Sequence, residues 1–249
     1  MTKVAVLGCG PAGLLAAHAA VRNGASVVIY SDKAQPSQIG GAQFLHRAIP
    51  EITNTDPDAM CDFRHVGQRE NYAKRVYGDP LADVSWGSYA EGLHPIWNMQ
   101  QAYNQLWERY SELIVVEEIY GDTLAKISKA EDLVFSCIPA PALCRHQCKF
   151  VKQDVWIQTV DNHFDNLECA IVYNGSMSGE WYRWSSLFGH TFFEYPQFRP
   201  NAVKVSKPLR TDCPGPTHLG NIIGLGRYGA WEKHQLIHHA YEGAELALQ

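Results

Sequence analysis

The chain has 249 residues, 46% of them hydrophobic, enough to bury roughly 70–75% of its unfolded surface in one or two lobes. A net charge of −5 and a pI near 6.1 give no electrostatic case for tight binding to nucleic acid or a membrane surface. No apolar run is long enough to span a bilayer, and the stretch 4–21, broken by Gly8, Gly10, Pro11 and Gly13, makes a poor signal peptide. A cytoplasmic protein without a membrane partner is expected. The seven cysteines are odd in number and irregularly spaced, which points to reduced thiols. Seven tryptophans and twelve tyrosines favour flat, partly polar ligands or a large aromatic core.

Residues 3–7, KVAVL, read as a short apolar strand. GCGPAG follows, then an alanine-rich helix, LLAAHAAVRNG, capped at Gly24, then a second strand, SVVIY, at 26–30. This strand–turn–helix–strand context is what a G-x-G-x-x-G dinucleotide motif needs. Gly8 permits the tight turn, Gly10 lets a pyrophosphate approach the backbone, and Gly13 lets helix and strand pack closely. Pro11 and Ala12 open the helix, whose N-terminal N–H groups and dipole suit phosphates. The acid that usually grips the ribose should end the second strand. Ser31 stands there, and Asp32 comes one residue late. Loss of the acid also tolerates a 2′-phosphate, so an NADP reading stays open.

IGGAQFLHRAIP (39–50) places paired glycines soon after this unit. Residues 51–96, rich in Pro, Gly, Asp and Tyr, read as irregular. Residues 97–112 form an amphipathic helix with Trp97, Ala102, Leu106 and Tyr110 near one face. LIVVEEI (113–119) reads as a buried strand, and 150–205 as short strands and turns of an antiparallel sheet. NIIGLGRYG (221–229) repeats the glycine pattern with a single helix after it. It is better read as a strand and helix that return to the first domain over an extended cofactor. Arg227 would then reach a phosphate, and a helix start near Trp231 would face a flavin carbonyl.

GCGPAGL, GGAQF and the late GRYG together resemble the flavoprotein group of amine oxidases and UDP-galactopyranose mutases. LVFSCIPAPAL (133–143) resembles the strand and proline turn by which that group re-enters its FAD domain. IVYNGSMSGEWYRWSSLFGH (171–190) is similar to the mutase stretch with an asparagine and an aromatic–arginine pair. The resemblance implies FAD, with Gly40 and Gly41 against its phosphate and ribityl chain. It also places Ala42, Gln43, Phe44 and Leu45 on the way to the isoalloxazine, and His46 near its edge. Val116 would hold adenine through its backbone, and Cys137, Ile138, Pro139, Gly226 and Tyr228 would complete the cofactor set. A second resemblance, in GAQFLH, KRVYG, AYNQLWERY and WYRWSSLFGH, is to small bacteriophage flavoproteins, among them flavin enzymes acting on amino-acid adducts of thymine in hypermodified DNA.

The fold expected is α/β: a Rossmann-like FAD domain with a parallel sheet, from 1–50, 97–145 and 211–249, plus a small β-rich substrate lobe from 51–96 and 146–210. The function expected is FAD-dependent oxidation of a C–N bond in an amine or amino-acid-like group, with a glycyl adduct on thymine as one substrate. Arg183 would anchor the substrate carboxylate between aromatic walls of Tyr182 and Trp184, while His46 and Gln43 order the flavin face. Two other functions stand: a redox-neutral sugar-nucleotide mutase, and a non-catalytic FAD- or NADP-binding module. A small molecule or modified nucleotide is the expected partner. Arg199, Lys204, Lys207 and Arg210 form a basic patch without nearby acids that suits a phosphate backbone or a solvated loop. His190 and Glu194 could form a polar pair, but ordinary strand surface is the favoured reading. Cys137, Cys144, His146 and Cys148 fit no common zinc ribbon, so no metal is expected. His234 and His238 share a face of the last helix, where solvated residues are the rule.

Overall fold

The computed structural model describes residues 1–77, 91–144, 147–160, 169–213 and 220–249. Its strands are β1 Lys3–Leu7, β2 Ser26–Ser31, β3 Phe44–Leu45, β4 Ala59–Gly67, β5 Gly92–Asn98, β6 Ile114–Val116, β7 Leu133–Ser136, β8 Phe150–Val160, β9 Ala170–Gly175, β10 Arg183–Leu187, β11 His190–Tyr195, β12 Val203–Thr211 and β13 Ile222–Gly224. Its helices are α1 Pro11–Arg22, α2 Arg69–Tyr77, α3 Met99–Tyr110, α4 Gly121–Ala130, α5 Ala140–Leu143, α6 Gly226–Ala230 and α7 His239–Ala247. The chain divides into two compact units. Unit 1 comprises Met1–Ser37, Met99–Val151 and Pro208–Gln249; unit 2 comprises Gln38–Asn98 and Lys152–Lys207.

Unit 1 is built on a parallel sheet in the order β13-β7-β1-β2-β6. The central strand β1 has a neighbour on each side and helices over it, and Val4 to Leu7 are fully buried. That explains its near-continuous apolar run. Pro11 starts α1, where its missing N–H costs nothing. Gly24, at φ 75°, follows the helix end. The small alanines of α1 let α3 and α7 pack close. The late strand β13 pairs with β7 in this sheet, so the return expected from NIIG is real.

Three local expectations change. The strand over 113–119 is only Ile114–Val116, and Val116 is 58% exposed because β6 is the sheet edge. The segment 51–96, expected to be irregular, carries β4, α2 and β5. Polar residues between Cys61 and Phe63, and around Tyr72, Ala73 and Val76, hide the buried stripes of β4 and α2 from a periodicity reading. Residues 78–90 of that segment lie outside the described residues. The last helix begins only at His239, so His234 and His238 do not share a helical face.

The larger sheet, β12-β8-β11-β10-β9-β4-β5-β3, underlies unit 2. The pairs β8–β11, β11–β10, β10–β9, β4–β5 and β3–β5 are antiparallel, and β4–β9 is parallel. The unit 2 core is aromatic: Phe44, Phe63, Tyr72, Tyr173 and Tyr182 pack with Ile96, Val155, Ile157 and Ile171. No helix among the described residues is long and apolar enough to cross a membrane.

Candidate functional site

In unit 1 the first glycine turn joins β1 to α1. Gly8 has φ 96°, and its N–H donates to the Tyr30 carbonyl at 2.7 Å, so the turn needs a residue that tolerates the left-handed side. A Cβ at Gly13 would lie 1.8 Å from the Gly8 carbonyl oxygen; only glycine permits that helix–strand approach. Gly10 differs from both. Its φ is −68°, ordinary for any residue, and a Cβ there would meet nothing within 4 Å. Nothing among the described residues requires glycine at position 10. No side chain caps α1 and no acid stands in its first turn, leaving its N-terminal N–H groups and positive dipole end to an anion.

The second glycine turn meets the first. A Cβ on Gly226 would lie 2.8 Å from the Ala12 Cβ, so the start of α6 packs against the start of α1. The Leu225 N–H donates to the Ser136 carbonyl at 2.9 Å, and a Cβ on Gly229 would lie 2.0 Å from that same oxygen. The turn after β7 runs through Cys137, Ile138 and Pro139, and the Cys137 N–H donates to the Leu7 carbonyl at 2.9 Å. Three strand ends, β1, β7 and β13, therefore bring Gly8–Gly13, Cys137–Pro139 and Gly226 together. Burial pushes the Cys137 thiol up to about 12, which keeps it a neutral wall.

Other members of the expected set are placed differently. The Ser31 hydroxyl is buried and already engaged: it accepts from the Cys9 thiol at 2.9 Å and from the Lys33 N–H at 3.1 Å. Asp32 is exposed beside it. Arg227 donates from two nitrogens to the Pro208 carbonyl, at 3.2 and 3.1 Å. Trp231 does not start a helix. It ends α6 in a left-handed conformation, φ 54°, and its indole N–H donates to the Val151 carbonyl at 3.1 Å. Its expected role facing a flavin from a helix N-terminus is thereby corrected. Tyr228 is 37% exposed.

Within unit 2, Gly41 has φ 77° and is packed so that a Cβ would meet Ile157 Cδ1 at 2.8 Å, whereas a Cβ on Gly40 would meet nothing within 4 Å. Ala42 and Phe44 belong to the apolar core, and Leu45 is fully buried in β3. Gln43 is exposed and donates to the Gly40 carbonyl at 3.0 Å. The His46 ring lies 4.6 Å from that of Phe44.

Arg183 sits directly opposite Glu194 in the β10–β11 pair and is ion-paired with it. Glu194 is buried, and Lys207 reaches its other oxygen at 2.6 Å. Burial alone would raise the Glu194 carboxyl; the charges of Arg183 and Lys207 outweigh it and hold the group at about 2. Glu194 is thus the buried centre of a triad with two partly buried cations, not strand surface. Tyr182 is also buried, its hydroxyl donating to the Arg75 carbonyl at 2.8 Å, with the Arg75 guanidinium over its ring at 5.2 Å. That guanidinium in turn donates to the carbonyls of Asn174, Ser176 and Gly179. The basic patch does not lack acids. Arg199 pairs with Glu180 at 2.7 Å and Lys204 with Asp154 at 2.7 Å, besides Lys207 with Glu194.

Sequence reading missed Arg75, the Glu194 triad and Cys213. Arg75 has partners about a hundred residues away in the chain, and no local pattern marks it. Cys213 lies within metal-ligand distance of Cys144 and Cys148, a grouping that spacing over 137–148 does not reveal. His146, part of the zinc pattern considered, lies outside the described residues.

No protein-family model matches the sequence, and no curated protein matches it. Solved structures do match in fold. CtdE in complex with FAD superposes with a TM-score of 0.58 at 12% identity, over 100% of this chain and 84% of that one. A 2-methyl-3-hydroxypyridine-5-carboxylic acid oxygenase gives 0.55 at 13%, over 100% and 81%. Tetracycline destructase Tet(51) gives 0.57 at 12%, over 99% and 80%. The fold is therefore one shared with these solved proteins, one of them crystallised with FAD, in line with the α/β class read from the sequence.

Proposed function

We propose that this chain is an FAD-dependent oxidoreductase whose unit 1 holds the pyrophosphate end of the cofactor. The observation that supports this most directly is Gly10. It is a glycine with ordinary backbone and open space at its missing Cβ, placed at the uncapped N-terminus of α1 and beside the Gly226 turn. Gly8, Gly10, Ala12 and Gly13 would present backbone N–H groups to the phosphates. The Cys137–Pro139 turn would wall the site, and the Ser31–Asp32 corner would face the ribose. FAD, when bound, supplies reversible two-electron chemistry; the residues named here bind and orient it.

For the reaction, we favour oxygenation of a small organic substrate. One solved neighbour is named as an oxygenase of a hydroxypyridine carboxylic acid, and another as a destructase of tetracycline. In such a reaction one atom of O2 enters the substrate and the other leaves as water. NADH or NADPH supplies the two electrons. Oxidation of a C–N bond, including that of a glycyl adduct on thymine, uses the same cofactor and stands second. Its expected carboxylate anchor, Arg183, is held by Glu194.

The purified full-length chain, incubated with FAD and desalted, should retain flavin absorption, and denaturation should release intact FAD. A chain that takes up no flavin overturns the proposal. The two reactions separate on one loaded sample. Bleaching by NADH or NADPH followed by substrate-dependent O2 uptake supports oxygenation. Anaerobic bleaching by an amine, without a nicotinamide, supports C–N oxidation.

A further inference from the structure

Cys144, Cys148 and Cys213 bring their sulfurs within 4.8 Å of one another, all in unit 1. Cys144 follows α5 and is positioned by its N–H, which donates to the Ala140 carbonyl at 3.1 Å. Cys148 precedes β8, and Cys213 follows β12. The two approaching stretches are tied independently of the sulfurs. The Lys149 N–H donates to Asp212 Oδ1 at 2.6 Å, the Thr211 hydroxyl donates to the Lys149 carbonyl at 2.9 Å, and the Cys213 N–H donates to Thr211 Oγ1 at 3.0 Å. Backbone and side-chain hydrogen bonds thus hold Cys213 opposite Cys144 and Cys148.

The sulfur spacing distinguishes two chemistries. A disulfide needs sulfurs about 2.05 Å apart. Tetrahedral thiolates on one zinc ion, with Zn–S near 2.3 Å, stand about 3.8 Å apart. Cys144 and Cys213 sulfurs are 3.6 Å apart, and no disulfide joins any of the seven cysteines. Cys144 and Cys148 also form a C-x3-C pair, within the spacing by which one loop supplies two zinc ligands. Three sulfurs and no carboxylate make a soft donor set, which suits zinc and disfavours magnesium or calcium. The other triad with metal-ligand spacing among the described residues, His238, His239 and Glu242, is poorer. The Nδ1 of His239 there already accepts the Leu236 N–H at 3.1 Å.

We propose that Cys144, Cys148 and Cys213 bind a single structural zinc ion that clips the loop after α5 to the end of β12. Zn2+ displaces the thiol protons to solvent, and no electron moves. The three thiolates fill three of four tetrahedral positions. The site owes nothing to FAD and stands whether or not the flavin proposal does. Its effect is on unit 1 itself: the clip fixes the chain where it enters β8 and where it leaves β12, and metal binding adds directly to folding stability.

The test uses the full-length protein, expressed with zinc in the medium and purified under a phosphine reductant without chelator. Elemental analysis should find about one zinc per chain. Cys144→Ser, Cys148→Ser and Cys213→Ser should each lose it, while Cys169→Ser keeps it. Cobalt exchanged for zinc should show thiolate-to-cobalt charge-transfer absorption that the three variants lack. Should the variants fold poorly, the wild-type protein decides by alkylation mapped by mass spectrometry. Zinc should shield Cys144, Cys148 and Cys213 together, and a strong chelator should expose all three and lower Tm by about 5 °C or more. The proposal fails if the wild-type chain carries no zinc and binds no cobalt through sulfur. It also fails if protein prepared without the reductant, its free thiols blocked at lysis, contains a Cys144–Cys213 disulfide.

Discussion

The two units handle polar chemistry in opposite ways. Unit 1 exposes backbone: the corner proposed to face phosphate is made of Gly8, Gly10, Gly13 and Gly226, and the groups it offers are N–H bonds at an uncapped helix end. Unit 2 buries side-chain charge: Glu194 sits between Arg183 and Lys207, and Arg75 is spent on backbone carbonyls. Backbone sites come from residues adjacent in sequence, so the chain announces them. The Glu194 pairs join facing strands through their register, and each member looks like surface until the sheet is assembled. In unit 2 the charges therefore explain rigidity better than they explain substrate capture.

The contrast breaks most sharply at Glu194. Glu194→Gln leaves the partly buried Arg183 and Lys207 without that counter-charge and should destabilise the fold by up to about 3–5 kcal/mol, read by urea unfolding. If the loss is within a few tenths of a kcal/mol, the triad is not a structural element. The same carboxylate sets a pH window. Its folded value of about 2 lies below the ordinary 4.5. Its contribution is therefore complete above pH 4.5 and disappears as pH falls from there towards 2. Unfolding curves in that window should shift steeply for the wild type and less for Glu194→Gln.

Unit 1 predicts a split between neighbours. Gly13→Ala drives a Cβ into the Gly8 carbonyl and should cost about 1–3 kcal/mol of stability. Gly10→Ala meets open space at an ordinary φ and should change stability by no more than about 0.5 kcal/mol. It should still weaken FAD binding at least tenfold, about 1.4 kcal/mol. Equal stability losses at both positions would remove the argument that position 10 is kept clear for a ligand. The smallest effect belongs to the surface. Arg199→Ala removes an exposed pair with Glu180 and should cost less than about 0.5 kcal/mol in urea melts.

How much was legible follows the same division. The βαβ unit could be read because a central parallel strand is apolar throughout and its turn needs glycine at fixed offsets. The return of β13 could be read because a strand before a glycine turn needs a sheet to join. β4 and α2 were hidden by charged residues on their outward faces, and Trp231 was assigned to a helix start because no local rule marks a left-handed helix end at a tryptophan.

Sequence alone determined the nucleotide-type βαβ unit, the α/β class and the antiparallel character of most of the second sheet. All three rest on contacts between near neighbours and on the periodicity of apolar residues. Tertiary structure alone decided that Arg183 answers to Glu194, that Arg75 holds the loop before Tyr182, and that Cys213 meets Cys144 and Cys148. The first depends on strand register within a hairpin and the other two on closure over many tens of residues, which a linear pattern does not encode.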